Sequence, residues 1–252
     1  MNQLIITGAN GFLGTKLRKT LDQKNIAYSV DWNEFDRGDT LFHLAAKTNV
    51  DWCEEHPEEA RKNNVDFTKT IAETVSSHGK LVYLSTDFGN ENVYGKSKRD
   101  AEAIVQHHCP NHWIIRTSTL YGYNSPQDKG TFVKWVIQQS KQDPATPIPV
   151  AMDWVTSPTL IDDLTNWMVD HHAMERGVQY VVGPEPIDKF RFAEKVKEAF
   201  DLSAPIVPVL LQEVKSFKAA RKSYPLLCDK LPSNIARGLQ NMRNQMRRDG
   251  LV

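Results

Sequence analysis

The chain has 252 residues, of which 40% are apolar and 25% are charged, and this composition is typical of a folded globular protein rather than a disordered or fibrous one. Its 31 basic and 31 acidic residues cancel to a formal net charge of 0. Because no overall positive field attracts polyanions, we expect neither nucleic acid nor a membrane surface as a partner. The length allows one large domain, or a core domain with a smaller lobe.

Targeting signals and cysteine spacing limit the chain further. No apolar run in the sequence approaches the roughly 20 residues that a membrane-spanning helix needs. The N-terminus enters an apolar strand at once, without the pattern of a secretory signal peptide, so we expect a cytoplasmic protein. Cys53, Cys109 and Cys228 lie far apart, without the paired spacing of zinc or redox sites. We therefore expect reduced, inert thiols and no bound metal.

The first predicted elements are a β-branched strand at residues 4–6, a glycine-containing turn and a helix with one apolar face. A second apolar strand at 27–30 ends at Asp31, and a third lies at 41–46. The eight residues 32–39 between them can hold only a loop, because a parallel crossover with its own helix needs about a dozen residues. The sheet is therefore predicted to be truncated at this edge.

Three glycines, Gly8, Gly11 and Gly14, lie between the first strand and the first helix. Glycine permits a tight turn there and lets a pyrophosphate approach the helix N-terminus, where free N–H groups favour an anion. Asp31 ends the next strand about 20 residues on, where a carboxylate can bind the hydroxyls of an adenosine ribose. The pattern predicts a dinucleotide site; an ordinary strand-to-helix turn is the alternative.

Strand and helix patterns continue to alternate through the first half of the chain. Helical periodicity covers residues 54–77 and 94–107, and short apolar strands lie at 81–84 and 113–116. This alternation predicts an α/β fold, with a doubly wound parallel sheet covered by helices on both faces.

After Tyr121, frequent prolines divide the chain into short elements, which predicts a smaller lobe. The predicted helices of this part cover residues 132–139, 160–171 and 190–200, followed by a C-terminal helix with Ile235, Leu239, Met242 and Met246 on one face. We expect a dinucleotide-binding domain at 1–150 and a smaller lobe at 151–252, partly interleaved with the first.

Tyr94 and Lys98 are four residues apart on a predicted helix, so both side chains project from one face. An ammonium group beside the phenol lowers the pKa of the tyrosine, which suits a general acid near neutral pH. Thr86 ends the preceding strand, at the edge where open parallel sheets bind ligands. Although the spacing alone is common by chance, its position predicts that Tyr94 donates a proton while Thr86 holds a substrate oxygen.

The chain resembles the extended short-chain dehydrogenase/reductases, and among them the dTDP-4-dehydrorhamnose reductases most closely. The matching segments occur in family order over nearly the whole chain: residues 7–14, 44–46, 50–51, 64–65, 85–87, 92–98, 116–118, 157–159 and 163–164. The resemblance implies a Rossmann-type fold and an NAD(P)-dependent oxidoreductase that reduces a nucleotide-linked 4-keto-6-deoxy sugar. It also implies that the smaller lobe of the protein binds this substrate.

The resemblance also implies roles for individual residues. Tyr94 gives the proton, Thr86 holds the carbonyl oxygen, Lys98 binds the cofactor ribose, and Asp87 belongs to the same catalytic group. The implied cofactor-binding residues are Gly8, Asn10, Gly11, Phe12, Leu13, Gly14, Asp31, Ala45, Ala46 and Lys98. Thr119 and Thr131 occupy substrate positions.

The chain departs from the family pattern around the expected substrate. Thr119 stands where the family usually has a tryptophan, and Thr131 stands where it often has an asparagine. Only six residues, 88–93, connect Asp87 to Tyr94, where relatives carry a longer loop. These differences predict a wider, wetter pocket. They also leave open a non-catalytic NAD(P)-binding regulatory subunit, resembling the regulatory partner of methionine adenosyltransferase.

Cofactor choice and assembly complete the expectations. A carboxylate at Asp31 would repel a 2′-phosphate, which favours NAD over NADP, although Arg37 could accept that phosphate. Relatives pair through the helices predicted here at 57–77 and 94–107, so we expect a homodimer. Ala101, Ile104 and Val105 could supply part of that contact, or they could pack against the sheet.

Overall fold

The computed structural model describes residues 2–128 and 130–251, in which strands and helices alternate. The strands are β1 (Leu4–Thr7), β2 (Tyr28–Ser29), β3 (Thr40–His43), β4 (Lys80–Thr86), β5 (His112–Thr117), β6 (Leu120–Tyr121), β7 (Ile148–Ala151), β8 (Val155–Thr156), β9 (Thr159–Leu160), β10 (Gly177–Tyr180), β11 (Ile187–Asp188) and β12 (Ile206–Val209). The α-helices are α1 (Phe12–Gln23), α2 (Val50–Glu55), α3 (Pro57–Arg61), α4 (Phe67–Val75), α5 (Val93–His108), α6 (Phe132–Gln142), α7 (Ile161–His171), α8 (Lys189–Phe200) and α9 (Ile235–Arg248). Short 3-10 turns lie at Trp32–Glu34 and Leu211–Glu213, and a π-helical turn at Lys62–Asp66 joins α3 to α4.

Six strands form one parallel sheet in the order β10-β5-β4-β3-β1-β2. Strand β1, between β3 and the edge strand β2, is apolar along most of its length and buried, as a strand covered on both faces must be. The direction of winding reverses between β1 and β3, and doubly wound sheets bind ligands at the carboxyl ends of the strands at such a switch point. The predicted Rossmann-type α/β fold is confirmed.

The two edges of the sheet differ in how well the sequence foretold them. As the short connection after Asp31 predicted, the sheet ends at β2, and the described segment 32–39 holds a 3-10 turn but no further strand. The opposite edge strand, β10, was not recognised. Its four residues alternate between half-buried and exposed positions, and within residues 2–128 and 130–251 it pairs with β5 alone, so the local sequence carries little apolar signal.

The chain divides into two compact units, each built from three separate segments of the sequence. Unit 1 comprises Met1–Thr117, Thr165–Val181 and Lys218–Ala220. Unit 2 comprises the remaining segments: Ser118–Leu164, Val182–Phe217 and Arg221–Val252. From the sequence we expected domains at 1–150 and 151–252, partly interleaved; the compact units alternate along the chain, first between Thr117 and Ser118.

The core of unit 1 lies between the sheet and helices α4 and α5. Its fully buried members include Ile5, Leu41, Leu81, Ile114, Ile71, Val75, Ala101 and Val105. Ala101 and Val105 therefore pack within the monomer, which corrects the suggestion that they supply a dimer contact. Ile104 is only partly buried against this core.

Unit 2 has a separate core around α6, α8 and α9. The four residues predicted to share one face of the C-terminal helix, Ile235, Leu239, Met242 and Met246, are all buried in it. Three two-stranded pairings, β6 with β9, β8 with β11 and β7 with β12, lie in this unit. None of these short strands was predicted.

Across the residues that the structure describes, no helix has both the length and the apolar character needed to cross a membrane.

Candidate functional site

The glycine turn after β1 brings the backbone against the loop that follows β3. Gly8 has a φ of +70°, and a Cβ atom added to it would lie 2.6 Å from the backbone nitrogen of Ala45. A Cβ atom on Gly14 would lie 2.1 Å from the carbonyl oxygen of Gly8. Side chains at these two positions would collide with main chain, so the close approach requires glycine.

The same turn leads directly into α1. Gly11 is the N-cap residue, with extended backbone and no capping side chain. A helix N-terminus of this kind favours an anion because its first N–H groups lack acceptors within the helix. The predicted cofactor residues in this turn are Gly8, Asn10, Gly11, Phe12, Leu13 and Gly14, and Ala45 and Ala46 follow the neighbouring strand β3. The structure thus groups these residues at the switch point.

Asp31 lies just beyond β2, the strand paired with β1. Its Oδ1 accepts hydrogen bonds from the backbone and side-chain nitrogens of Asn33, at 2.9 and 2.7 Å. These bonds lower the pKa of the exposed Asp31 carboxyl, with the backbone bond as the main cause. The residue is therefore ionised at neutral pH, as a partner for ribose hydroxyls must be.

Tyr94 lies in the first turn of α5, where the Asn92 side chain caps the helix by accepting the N–H of Gly95 at 2.7 Å. Thr86 is the last residue of β4, and its hydroxyl donates a hydrogen bond to Asp87 Oδ1 at 3.2 Å. Burial raises the pKa of Tyr94, the Asp87 carboxylate raises it further, and the neighbouring Thr86 hydroxyl opposes both. The structure brings Thr86, Asp87 and Tyr94 together, but the pKa of Tyr94 is raised, whereas its spacing from Lys98 predicted a lowered one, so the phenol is protonated at neutral pH.

Lys98 follows Tyr94 by one helical turn and is also buried. Its Nζ lies 4.2 Å from the centre of the Tyr83 ring. Burial lowers the pKa of Lys98 to about 7, although the nearby carboxylate of Glu102 opposes this change. An ammonium group with such a pKa is easily neutralised unless an anion or a polar ligand group lies beside it.

Asn64 is a site residue to which the sequence analysis gave no role. It is completely buried in the π-helical turn, a local irregularity that is frequent at functional sites. Its Oδ1 accepts the N–H of Lys47 at 2.7 Å, and its Nδ2 donates to Lys47 O at 3.1 Å and to Ser97 Oγ at 3.0 Å. Ser97 in turn donates to the carbonyl oxygen of Tyr94. Asn64 thus connects the loop after β3 with the helix that carries Tyr94.

The two substrate candidates lie in unit 2, and both hydroxyl groups are engaged. Thr119 Oγ1 is 2.8 Å from Thr156 Oγ1 and accepts a hydrogen bond of 2.8 Å from Lys189 Nζ. Thr131 is the N-cap of α6, and its hydroxyl accepts the N–H of Lys134 at 3.3 Å. A capping role accounts for threonine at residue 131.

Lys189 was not singled out from the sequence, although it is buried beside Thr119. Its Nζ lies 4.7 Å from the Phe132 ring centre and 4.8 Å from the Trp154 ring centre. The Trp154 ring also has the Arg221 guanidinium 5.8 Å from its centre. Unit 2 therefore places aromatic rings and cations next to the residue that replaces the family tryptophan.

The cysteines and metal-ligating residues show no reactive arrangement in the described part of the chain. Burial raises the pKa of both Cys53 and Cys109 to about 11, so these thiols stay protonated at neutral pH. No group of three or more His, Cys, Asp or Glu residues capable of holding a metal ion lies within residues 2–128 and 130–251.

The chain is similar to known proteins over most of its length. A family model described as the RmlD substrate binding domain matches residues 1–248. The dTDP-4-dehydrorhamnose reductase of Sinorhizobium fredii is 27% identical to the chain, over 83% of this chain and 79% of its own length. Methionine adenosyltransferase 2 subunit beta of Danio rerio is 24% identical, over 76% of this chain and 65% of its own length.

Among solved structures, the dTDP-4-dehydrorhamnose reductase from Bacillus anthracis in complex with NADP is similar over nearly the whole chain. Its TM-score is 0.84 and its sequence identity 28%, and the match covers 97% of this chain and 100% of that one. The likeness therefore extends over both units, each of which has its counterpart there.

Proposed function

Because the chain belongs to the RmlD substrate binding domain family, we propose that it is an NAD(P)H-dependent reductase of a nucleotide-linked 4-keto-6-deoxy sugar. The observation that carries this proposal is the grouping of Thr86, Tyr94 and Lys98 at the carboxyl end of β4 and the start of α5. The similar Sinorhizobium fredii protein is named dTDP-4-dehydrorhamnose reductase, and the Bacillus anthracis structure contains NADP.

The glycine turn fits the pyrophosphate of a dinucleotide. Because Gly8, Gly11 and Gly14 carry no side chains, a diphosphate can approach the start of α1, where a helix N-terminus favours an anion. Asp31 would bind the adenosine ribose, and Lys98 would bind the ribose next to the nicotinamide. When bound, the reduced nicotinamide supplies the hydride.

Residues of the chain itself supply the proton and the hydrogen bond that holds the substrate carbonyl. As the carbonyl carbon is reduced, Tyr94 would give its phenolic proton to the carbonyl oxygen, so that C=O becomes an alcohol. Thr86 donates a hydrogen bond to the same oxygen and so favours the developing negative charge. The Lys98 ammonium stabilises the phenolate that remains on Tyr94.

For the cofactor, we infer a preference for NAD over NADP. The Asp31 carboxylate is exposed and ionised just beyond β2, and this charge opposes a 2′-phosphate. The homodimer expected from the family resemblance also remains a proposal, and light scattering at micromolar concentration tests it.

A non-catalytic role is the second candidate, and two observations favour it. The chain is also similar to a methionine adenosyltransferase regulatory subunit, and Thr119 replaces the aromatic residue typical of the reductases. The intact Thr86, Tyr94 and Lys98 favour the enzyme, because a binding subunit has no need of a proton donor.

The deciding experiment begins with the nucleotide that copurifies with the protein. The reduced form of that nucleotide is then incubated with dTDP-4-dehydrorhamnose and with other keto sugars linked to nucleotides, and its oxidation is followed by absorbance. We expect turnover with at least one of them. Tight cofactor binding without turnover of any keto sugar would favour the regulatory role.

A further inference from the structure

Arg99, one residue after Lys98 on α5, binds main-chain carbonyl groups at the end of β4 and just after it. Its Nη2 donates hydrogen bonds to the carbonyl oxygens of Thr86 at 2.9 Å and Phe88 at 2.7 Å, and the Asp87 carbonyl oxygen lies at 3.5 Å. The side chain of Arg99 is only 18% exposed. A planar guanidinium group bound to consecutive carbonyls holds this stretch of main chain in one path.

Glu102 fixes the guanidinium of Arg99 from the other side. This carboxylate is buried and accepts hydrogen bonds from Arg99 Nη1 and Ser85 Oγ. Arg116 on β5 forms a bidentate contact with this carboxylate, with Nη2 2.6 Å from Oε2 and Nε 3.0 Å from Oε1. These bonds lower the pKa of Glu102 against the effect of its burial, so the group stays ionised.

Buried ionised groups are a costly way to fill space. Removing these charges from water costs free energy that their mutual attraction only partly returns, and apolar side chains would often stabilise the fold as well or better. The cluster joins three elements, β4, β5 and α5, at the residues next to Thr86 and Lys98. This location indicates that the cluster fixes the geometry of the site rather than filling space in the core.

We propose that Arg99, held by Glu102, is a positioning residue that keeps the Thr86 hydroxyl in place against Tyr94. This inference rests on the reductase function proposed above. Thr86 lies on β4 and Tyr94 on α5, so the distance between the Thr86 hydroxyl and the Tyr94 phenol depends on the relative placement of these two elements. Arg99 is the side chain of α5 that binds the main chain of Thr86 itself.

The positive charge of Arg99 also supports proton donation by Tyr94. This charge lowers the pKa of both Tyr94 and Lys98. Without that charge, Tyr94 becomes a weaker proton donor, in addition to losing the fixed position of its partner Thr86.

The test compares Arg99→Ala with Arg61→Ala as a matched control. Arg61 lies on α3 with 67% of its side chain exposed and 3.8 Å from Asp66, so its loss should leave turnover unchanged. For Arg99→Ala we expect kcat to fall by about 10- to 100-fold, because small misplacements of reacting groups slow a reaction by this order. The KM for the reduced cofactor should change by less than about threefold, because the glycine turn is untouched.

Chemical rescue separates positioning from general damage. Guanidinium ion added to Arg99→Ala should restore part of the lost kcat by filling the vacated place, whereas methylammonium ion should not, because it lacks the planar donors. A kcat within twofold of the wild type would overturn the proposal. So would a loss of kcat that guanidinium does not relieve.

Amide hydrogen exchange provides a readout that needs no substrate. In Arg99→Ala, exchange should accelerate in residues 86–93 and stay unchanged in α1, and guanidinium should reverse the acceleration. If the wild type reduces no keto sugar, the proposed function fails, yet this comparison still decides whether Arg99 orders the segment that carries Thr86. Unchanged exchange in residues 86–93 would overturn the inference by itself.

Discussion

The Nζ atom of Lys98 lies 4.2 Å from the centre of the Tyr83 ring, in a position closed to solvent. The ring attracts the ammonium group, but it replaces water only in part. Burial therefore lowers the pKa of Lys98 from 10.5 to about 7, even though Glu102 opposes the change.

This value predicts that cofactor binding depends on pH. Below about pH 7 the free protein carries the Lys98 ammonium that binds ribose hydroxyls, and above it the neutral amine increasingly replaces that cation. We expect the dissociation constant for the reduced cofactor, measured by fluorescence titration, to increase as the pH rises from 7 to 9. Lys98→Met should bind weakly with little pH dependence, and Lys69→Met, an exposed control on α4, should behave as the wild type. An identical pH profile in Lys98→Met would remove Lys98 from the cofactor site.

Tyr94→Phe should abolish most turnover while leaving cofactor binding intact. Removing a positioned general acid typically costs about 10² to 10⁴ in rate. The phenyl ring still fills the space between Phe88 and Cys53, so the fold should tolerate the change. Tyr83→Phe is the matched control, because it removes a neighbouring hydroxyl but keeps the ring beneath Lys98. Steady-state kinetics with near wild-type kcat in Tyr94→Phe would show that another group supplies the proton.

Asp31→Ser should shift the cofactor preference toward NADP. Replacing the exposed carboxylate removes a negative charge that repels the 2′-phosphate. The change also removes an acceptor for the ribose hydroxyls, so NADH should bind less tightly. Fluorescence titrations of wild type and variant with both reduced cofactors measure the two effects. Tighter binding of NADPH than of NADH by the wild type would contradict the role assigned to Asp31.

The parts of the fold that the sequence predicted are those with a local cause. The glycines of the first turn satisfy a steric need within seven residues, from Gly8 to Gly14, and the spacing of Tyr94 and Lys98 follows from one helical turn. The truncated edge follows from a count of residues after Asp31.

The features that escaped prediction depend on distant partners. Asn64 has meaning only through Lys47 and Ser97, which lie 17 and 33 residues away. Arg99 and Glu102 look like an exposed ion pair three residues apart until β4 and β5 cover them. No periodicity in the sequence encodes such contacts, because they arise from the packing of separate elements.

Asn64→Ala should destabilise the protein and slow turnover. The change leaves the N–H and carbonyl groups of Lys47 without their side-chain partner, and an unsatisfied buried group costs about 1 to 3 kcal/mol. It also frees the loop after β3 from the helix that carries Tyr94. Asn63→Ala is a suitable control, because Asn63 makes only an exposed bond to the carbonyl of Glu59. Urea unfolding measures the difference, and equal stability of the two variants would contradict the role of the Asn64 network.

Gly14→Ala and Gly11→Ala separate the steric need for glycine from its role in binding. A Cβ atom on Gly14 would lie 2.1 Å from the Gly8 oxygen and 2.8 Å from Ala9 Cα, both main-chain atoms that cannot turn aside. One on Gly11 would meet only the Gly8 oxygen, at 3.2 Å. We therefore expect Gly14→Ala to lower the free energy of unfolding by about 1 to 3 kcal/mol, the usual cost of overpacking, despite the higher helix propensity of alanine.

Gly11→Ala should fold with nearly wild-type stability and yet bind the cofactor more weakly. Its methyl group occupies the surface over which a pyrophosphate must approach the start of α1. Urea unfolding and fluorescence titration of both variants give the two readouts separately. If Gly11→Ala keeps wild-type affinity for the reduced cofactor, the diphosphate does not approach through this turn, and the glycines serve only the packing of α1 against β1 and the loop after β3.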